Sequence, residues 1–518
     1  MKKILTLALI GLCFLQVRGQ SAEDALRYSQ VFYTGTARSA AMGNAMTAVG
    51  GDFGALSINP AGSAIYPFSE VVFTPALHST ITESDYLSND IRKNYSRLGI
   101  TNFGYIGAYP TGNRSQHGLI SFNLGIGYNS LNNYTERFSA SGSTNESSWL
   151  AALAYETDGI HATSLDWNDH NSPFYNTNHR WSSILAWNSS LLDTIPGTRG
   201  YGYKGASEIY FNDDSFGVPG TLQQSYNRKV YGFTGEYLIN GSVNISHKLF
   251  LGMSIGLQNI SYRYAENYSE KALNPGDYAA QTAFESFTHT YNQSTNGMGV
   301  NLKFGAIFVP FKFLRLGASI HTPTWMRLTD EWDETIEAYF SSGNPRNIYL
   351  ESPIGEYTYK VSTPFRWNVG AAVTMSSFGV ISIDYEQVSY DKIKMRSSEY
   401  RNPFDEENQN IRRNYQTTHN IRLGAEFNLP VVSLRGGYAY YGNPEKDYGS
   451  ENHIASAGLG YQNNGFFVDL TYMQRFEKKE YFSLYSDIYD GPDLLIPAPT
   501  GEQATSNWKL LLSIGLRF

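Results

Sequence analysis

The sequence predicts an all-β chain that closes into a 14-stranded antiparallel transmembrane β-barrel, with its N-terminal segment in the lumen as a plug. Three observations lead to this prediction: segments in which apolar and polar residues alternate, connections that alternate between short and long, and the composition. The 518 residues include 39 Tyr and 48 Gly, but only 17% are charged. This composition suits a barrel with aromatic girdles at the membrane surfaces, although a Tyr-rich secreted β-sandwich would share it.

Residues 1–19 form a predicted signal peptide. Lys2 and Lys3 precede an apolar run from Ile4 to Leu15, and the segment ends at Gly19. This run is shorter than the roughly 20 apolar residues of a membrane-spanning helix. The only cysteine, Cys13, lies inside the segment. We therefore expect an exported mature chain without a thiol, and so without a disulfide or a Cys-based metal site.

Fourteen segments of the remaining chain have the period of two that a strand exposed to lipid on one face requires. The C-terminal segment is the clearest, because every second residue from Trp508 to Phe518 is apolar and only Leu511 interrupts the opposite face. The segments lie near 70–78, 99–109, 118–138, 232–246, 249–264, 298–309, 313–322, 365–376, 378–390, 415–429, 432–441, 452–462, 465–476 and 508–518.

The connections between these segments alternate between short turns, such as His247-Lys248 and Asn463-Asn464, and long polar stretches. Bacterial barrels have short periplasmic turns and long outer loops. Both termini are then periplasmic, residues 20–69 form the plug, and the barrel runs from 70 to 518. The predicted outer loops are 79–98, 139–231, 265–297, 323–364, 391–418, 442–451 and 477–507.

Charged residues on these strands are expected to face the lumen, because lipid excludes them. They could bind a substrate carboxylate, but lumen charges in barrels usually pair with one another, and we favour that interpretation. The candidates are Arg366, Arg422, Glu426, Asp384 and Glu386.

The segment before the first strand is rich in Gly and Ala and ends in Asn-Pro-Ala-Gly. It resembles the N-terminal hatch of the FadL/TodX family of outer-membrane transporters, which has a small-residue pattern, an acidic residue and the same tetrapeptide. Gly51-Asp52-Phe53 stands where the family more often has an acidic pair. Segments 316–323 and 362–370 also look similar to the family. The matching positions, our candidates for the hatch and its gating, are Gly35, Arg38, Gly43, Asp52, Asn59, Pro60, Ala61 and Gly62.

The resemblance implies a hatch of short helices and passive, hatch-gated uptake of long-chain fatty acids or aromatic hydrocarbons across the outer membrane of a Gram-negative bacterium. A water-filled pore offers apolar solutes no favourable surface, whereas a plugged barrel with apolar pockets does. Asn59-Pro60 could instead be only the turn that enters the first strand.

Secretion-associated barrels share the Asn-Pro-Ala signature. The alternative function is therefore a secretion-associated or adhesive barrel that binds partner proteins through its external loops. The largest loop, 139–231, carries Trp149, Trp167, Trp181 and Trp187, which we interpret as exposed aromatic residues suited to binding.

Two glycines of the third strand, Gly125 and Gly127, are candidates for a lateral opening. Barrels similar to FadL are kinked in this strand, which opens a window to the bilayer, and glycines often mark such a kink. The alternative is that both glycines make room for the hatch.

No pattern indicates an enzyme, a metal or a cofactor. The ten histidines form no His-Glu-x-x-His motif, and there is no Gly-x-Ser-x-Gly motif. The net charge of −8 without a basic run argues against nucleic acid. The expected partners are a hydrophobic ligand, outer-membrane lipid and lipopolysaccharide. Phe518 also resembles the terminal signal that the barrel-assembly machinery recognises, and we expect a monomer.

Overall fold

The computed structural model describes residues 20–112, 117–168, 171–175, 179–211, 216–343, 345–397, 403–447, 449–490 and 493–518. The predicted signal peptide, residues 1–19, lies outside these ranges. None of the helices within them is long and apolar enough to cross a membrane.

Fourteen antiparallel wall strands follow one another in chain order, and three of them are divided into two pieces and one into three. Their bounds are β1 Glu70–Tyr86, β2 Asn89–Pro110, β3 Leu119–Asn133 with Glu136–Thr144, β4 Leu222–Ile245, β5 Leu249–Ala272, β6 Phe284–Phe311, β7 Leu314–His321 with Trp325–Phe340, β8 Asn347–Glu351 with Gly355–Ser362 and Arg366–Thr374, β9 Gly379–Ser389 with Lys394–Ser397, β10 Thr417–Asn428, β11 Val432–Tyr441, β12 Asn452–Asn463, β13 Phe466–Ser483 and β14 Thr500–Arg517.

The sheet closes on itself, because β1 pairs with β2 on one edge and with β14 on the other. The closing ladder runs from Glu70 opposite Arg517 to Tyr86 opposite Gly501. The predicted closed 14-stranded barrel is thus confirmed. Closure from β14 back to β1 is what a membrane-spanning sheet requires, because its backbone groups must be paired within the protein.

The outer surface of the wall carries a belt of exposed apolar side chains. On β14, Leu510, Leu512, Ile514 and Leu516 are exposed while the intervening residues are mostly buried. Soluble proteins rarely expose apolar area on this scale, so the belt marks the surface that faces lipid. Leu511, which interrupts the sequence pattern, lies on the lumen face and packs in a cluster with alanines of the plug.

Several of the predicted long loops are wrong, because the strands continue through them. Residues 79–98 are the outer parts of β1 and β2, joined by a turn at Leu87-Ser88, where both residues have positive φ. Most of 323–364 likewise belongs to β7 and β8. These extensions carry Ser, Thr, Asn and charged residues on both faces. They lack the apolar face on which the prediction depended, as expected of strands that project beyond the lipid.

Residues 20–69 fill the lumen as the predicted hatch. They contain α1 (Ala22–Ser29), α2 (Ala37–Ala41) and two 3₁₀ helices, Phe53–Ser57 and Pro60–Ile65. Helix α2 packs against β11 to β14, and the last 3₁₀ helix packs against β3 to β6, so the segment spans the lumen from one wall to the other. Nearly all of its side chains between Tyr33 and Ala64 are buried.

Wall glycines admit the hatch backbone. A Cβ added at any of nine of them would come closer than 3.0 Å to a hatch atom. The close approach explains much of the high glycine content, because only glycine leaves this room. These positions are Gly104, Gly127, Gly252, Gly305, Gly317, Gly370, Gly424, Gly437 and Gly458.

The described parts of residues 145–221, between β3 and β4, fold over the outer mouth of the barrel, and we call this segment the cap. Their elements are α3 Trp149–Thr157, α4 Trp181–Asn188, the 3₁₀ helices Ala162–Ser164 and Pro173–Tyr175, and the short strands Leu192–Thr194, Tyr203–Gly205, Ile209–Tyr210 and Phe216–Gly217. The other outer connections hold 3₁₀ helices Pro275–Asp277 and Tyr390–Lys392, helix α5 Asp405–Asn414 and the strand pair Ile488–Asp490 with Asp493–Ile496.

Three of the four cap tryptophans pack inward, which corrects the prediction of an exposed aromatic surface. Trp149 stacks on Phe287 of β6 at 5.4 Å between ring centroids, and Trp181 contacts Trp332 of β7 at 5.6 Å. Trp187 packs against the same apolar core, whereas Trp167 is 38% exposed. The cap therefore has its own hydrophobic core, shared with the outer ends of the strands.

The cap should be more stable at mildly acidic pH. Burial raises the pKa of Glu208 in the cap to about 7, although the Gly205 amide donates to its carboxylate at 2.8 Å. At pH values between the ordinary pKa of a glutamate and about 7, Glu208 is protonated in the folded cap but ionised in the unfolded chain. The stability of the cap therefore falls as pH rises through this window. We expect faster protease cleavage within 145–221 at pH 8 than at pH 5.5. Glu208→Gln should reduce this dependence, whereas Glu351→Gln, in an exposed strand end, should leave it unchanged.

Candidate functional site

The hatch is held to the wall by buried ion pairs. Arg38 of α2 donates Nε and Nη2 to Glu426 of β10 at 2.7 and 3.1 Å, and its Nη1 donates to the Gly51 carbonyl at 2.9 Å. Glu426 also accepts from Arg435 at 2.6 Å, and Arg435 pairs with Asp469. This ladder of alternating charges runs from the hatch across β10, β11 and β13.

A second buried network holds the middle of the hatch. Asp384 accepts from the amide and the hydroxyl of Thr47 at 2.8 and 2.6 Å. Arg422 is fully buried, lies 3.4 Å from Glu386 and 3.9 Å from Asp384, and donates to Asn368 at 2.7 Å.

Arg366 joins this network at 3.7 Å from Glu386 and donates to the Ser29 carbonyl. Four of the five lumen charges predicted from the sequence thus lie in this network, and the fifth, Glu426, lies in the first. This is the arrangement expected of charges that pair with one another.

Asn59 to Gly62 form the point where the hatch meets β6. The Asn59 amide donates to the Thr47 carbonyl at 2.7 Å and to the Ala306 carbonyl at 3.2 Å, and its oxygen accepts from the Ala61 amide at 3.0 Å. Asn59 thereby caps the 3₁₀ helix that Pro60 begins. Gly62 accepts a backbone bond from Gly51 at 2.9 Å, which ties this helix to the preceding loop.

The remaining predicted hatch residues shape its backbone. Asp52 accepts from Thr36 at 2.7 Å and from the Gly54 amide at 2.8 Å, which fixes the loop before the first 3₁₀ helix. Gly35 and Gly43 both have φ of +59°. A side chain at Gly43 would also clash with the backbone of β10 and β11. A substitution there is therefore disfavoured both by the positive φ and by the lack of space.

Gly125 and Gly127 of β3 face the hatch. A Cβ at Gly127 would collide with Phe53 and with the backbone of β2, and one at Gly125 would lie 3.4 Å from Leu56. Pairing of β3 with both neighbours is continuous through these positions. The two register shifts against β4 fall on either side of them, between Leu119 and Ser121 and between Ser130 and Asn132.

Beyond this point the wall divides. The ladder between β2 and β3 ends at Asn102 opposite Asn129, and in the described strands the outer part of β2 pairs only with β1. The outer piece of β3 pairs with β4 and receives hydrogen bonds from side chains of β1, including Thr80 to the Thr135 carbonyl at 2.8 Å. We call this separation the β2–β3 split.

Side chains bridge the split at two places. At its outer end, Asn89 of β2 donates to the Ser141 carbonyl of β3 at 2.8 Å. The Arg137 guanidinium lies 3.9 Å from the ring centroid of Tyr95 on β2 and donates to the Tyr231 hydroxyl of β4 at 2.9 Å. The three side chains therefore close the split on its outer side through a cation–π contact and a hydrogen bond.

A cavity of about 60 Å³ lies between the hatch segment at Phe32 and the lumen face of β1, β13 and β14. His78, Arg475 and Lys509 line it together with Ile454 and Met473. We call it the upper cavity.

The polar contacts of the upper cavity leave it positively charged. Lys509 donates to Thr34 at 3.0 Å, Arg475 donates to Asn452 at 2.8 Å, and Nδ1 of His78 has no hydrogen-bond partner among the described residues. Within that part of the chain no carboxylate lies within 4.0 Å of the three groups. The cavity thus combines apolar walls with cationic groups that no carboxylate compensates.

Aromatic side chains lead from the cap to the hatch along the lumen face. Tyr291 and Tyr264 lie 6.1 Å apart between ring centroids, Tyr262 follows Tyr264, and Tyr134 lies 5.7 Å from Tyr262. Tyr28 of α1 ends the series at 6.3 Å from Tyr134. Trp149 of the cap stacks on His289, two residues before Tyr291 on the same strand, so packed aromatic rings connect the cap to the hatch.

Sequence reasoning missed the buried pair of Glu236 on β4 and Lys303 on β6. Glu236 accepts from Lys303 and from Ser57 of the hatch at 3.0 Å, and Lys303 also donates to the Ser57 carbonyl at 3.2 Å. Both residues lie on strands for which the sequence predicted a charged lumen face. The alternation of apolar and polar residues along these two strands could therefore have identified Glu236 and Lys303 as lumen residues.

Fold and site together define a transmembrane β-barrel with an internal hatch. The solved structures that share this fold include a Pseudomonas aeruginosa FadL homologue, 11% identical, with a TM-score of 0.52 over 95% of this chain and 100% of that chain. The P. putida toluene transporter TodX is 13% identical, with a TM-score of 0.51 over 94% and 99%. The chain thus has the fold of the FadL-type transporters. No family model and no curated protein matches its sequence.

Proposed function

We propose that the protein is a non-enzymatic outer-membrane channel for passive uptake of small hydrophobic molecules, gated by its N-terminal hatch. The observation that supports this most is the series of aromatic side chains from the cap to α1, above a hatch that spans the lumen. These rings are packed together in the structure, and where they move apart they would offer apolar solutes a favourable surface along this route. The fold it shares with a toluene transporter agrees with such a role.

The upper cavity favours substrates with a negatively charged head over neutral hydrocarbons. A fatty-acid carboxylate could accept from Lys509 and Arg475 while the first few carbons of its chain lie against Phe32, Ile454 and Met473. Charge-assisted hydrogen bonds are the strong ones, and among the described residues no carboxylate lies close enough to compete for them. We therefore propose long-chain fatty acids, rather than aromatic hydrocarbons, as the substrate class.

Replacing both cations tests the substrate class. Lys509→Met with Arg475→Met should raise the KM for uptake of radiolabelled dodecanoate by about tenfold or more, because two charge-assisted bonds are lost. Uptake of dodecanol, which has no charge, should change little. Lys479→Met, which removes an exposed lysine paired with Glu502, is the matched control. Equal losses for the two substrates would reject a carboxylate site here.

For a neutral molecule we propose lateral exit into lipid at the inner end of the β2–β3 split, where Ile100 of β2 is 50% exposed. Gly125 and Gly127, in the same strand β3, make room for the hatch. Replacing both glycines with valine would displace Phe53 and Leu56 of the hatch. Such a variant would therefore test the packing of the hatch more than the lateral opening. The Arg137 contact offers a cleaner probe of the split.

Arg137→Met should speed dodecanol uptake several-fold, since a cation–π contact worth roughly 0.5–2 kcal/mol no longer closes the split. Arg92→Met, in the exposed outer part of β2, should have no effect. Unchanged uptake by a correctly assembled Arg137→Met protein would argue against lateral exit at this place.

Docking of partner proteins through the loops is the weaker proposal, because three of the cap tryptophans that suggested it are packed inward. The proposed location is the Gram-negative outer membrane after removal of residues 1–19. The protein would there be a monomer in contact with lipopolysaccharide, inserted by the barrel-assembly machinery. Phe518, which exchanges backbone hydrogen bonds with Ser69 at 3.0 Å and is 69% exposed, is then the residue whose deletion should lower assembled protein.

A further inference from the structure

A second, larger cavity of about 940 Å³ lies below the hatch, on the side of the short turns. The turns at Pro430-Val431 and Asn463-Asn464 form part of its rim, so with periplasmic turns it opens to the periplasm. Gly50 and Gly51 of the hatch form part of its roof. We call this cavity the vestibule. It is separate from the upper cavity, with which it shares no lining residue.

The vestibule is positively charged, in a chain whose net charge is −8. Five basic and two acidic side chains line it. Arg38 and Arg435 are paired with Glu426 and Asp469 in the ladder described above, and Arg517 is paired with Glu70 at 2.7 Å. The remaining two basic residues are Lys312 and Arg315.

Lys312 and Arg315 have no counter-charge. Within the described part of the chain no carboxylate lies within 4.0 Å of either group. Arg315 of β7 points to the lumen side, where its Nη1 donates to the Val49 carbonyl of the hatch at 2.8 Å. Its other guanidinium nitrogens remain available to a ligand, and an Arg can hold a carboxylate with two parallel bonds.

Apolar side chains of the same cavity could hold a hydrocarbon chain. Ile65 and Phe68, at the end of the hatch, and Phe467 of β13 line the vestibule, and Phe68 is 61% exposed. A cavity with two uncompensated cations and an exposed phenyl ring has the chemistry that an anionic amphiphile needs.

We propose that Lys312 and Arg315 form a binding site that receives the carboxylate of a fatty-acid-like amphiphile after it passes the hatch. The proposal rests on the proposed uptake function and assigns the exit of its charged substrates to the periplasm. A carboxylate would cross the split into hydrocarbon only at a cost of several kcal/mol, whereas the vestibule offers it compensating charge and water. Neutral and anionic substrates therefore leave by different routes.

A local fluorescent reporter tests the site apart from transport. The mature chain has no cysteine, so Asn463→Cys at the vestibule rim can be labelled with an environment-sensitive dye in the full-length protein in detergent. Dodecanoate should shift the emission with saturation, and Arg315→Gln with Lys312→Gln should weaken that binding about tenfold or more. Dodecanol should bind equally to both proteins. Lys248→Gln, in another exposed turn on the same side, is the matched control.

Equal affinity of the unmutated protein for dodecanoate and dodecanol, or unchanged dodecanoate affinity in the double variant, would overturn the proposal. If dodecanoate binds at the vestibule but whole cells take up neither probe, the site stands and the uptake function fails. If cells that express the double variant take up dodecanoate as well as cells that express the unmutated protein, the site does not lie on the uptake route. That result would overturn the proposal that anionic substrates leave through the vestibule.

Discussion

Glu426→Ala is expected to open the barrel to large hydrophilic solutes. Glu426 is the one carboxylate that holds both Arg38 of the hatch and Arg435 of the wall. Its removal leaves Arg38 without its paired carboxylate and Arg435 paired with Asp469 alone, and breaking a buried ion pair from one side costs roughly 3–5 kcal/mol. Water can relieve this cost only if α2 moves away from β10. We therefore expect cells with Glu426→Ala to become several-fold more sensitive to a large hydrophilic antibiotic, at unchanged levels of assembled barrel.

The control for this experiment is Glu83→Ala, which removes an equally acidic residue from an exposed pair with Arg92. Exposed ion pairs contribute about 0–1 kcal/mol to stability, so loss of this pair should not change the permeability of the barrel. A Glu426→Ala barrel that assembles normally and stays closed to the antibiotic would show that the ladder does not retain the hatch.

Glu270→Ala is expected to release the cap from the barrel. Glu270 at the outer end of β5 is fully buried and accepts from Ser148, from the Trp149 amide at 2.7 Å, from Gln224 at 3.0 Å and from Tyr268. It therefore holds the start of α3. Without Glu270 each of these hydrogen bonds is lost, and each loss costs about 1–3 kcal/mol of stability. External protease should then cleave within 145–221 on intact cells at least tenfold faster.

Glu351→Ala, at an exposed strand end on the same side, should leave cleavage unchanged. Glu270→Gln should be intermediate, because an amide keeps one acceptor oxygen but turns the other into a donor. A cleavage pattern in Glu270→Ala that matches the unmutated protein would mean that the apolar core alone holds the cap.

The wall could be predicted because lipid imposes a period of two on each strand. From Trp508 to Phe518 this pattern placed every residue on the correct face, including Leu511, whose lumen position accommodates it against the hatch. The outer extensions, such as 79–98, could not be predicted. There both faces meet water or another strand, so alternation disappears while the hydrogen bonds continue.

The partners of the lumen charges could not be predicted from the sequence, because alternation shows which face a residue is on but not which residue it contacts. Alternation shows that Asp384 and Glu426 face the lumen, but their partners Thr47 and Arg38 lie in the hatch, more than 300 residues away in the chain. Which wall residue meets which hatch residue depends on how the barrel closes. The cap gave no periodic signal either, because its helices are short and nearly uniform in hydrophobicity.

The most direct test of the account is uptake of radiolabelled dodecanoate by intact cells of a Gram-negative host that lacks its own fatty-acid channel. We expect expression of this protein to produce saturable uptake, with a KM about tenfold or more higher in Lys509→Met with Arg475→Met, while permeability to sucrose stays at the level of cells without the protein. Uptake no faster than in cells without the protein, at a confirmed level of assembled barrel, or an equal rise in sucrose permeability, would contradict a hatch-gated channel for hydrophobic substrates.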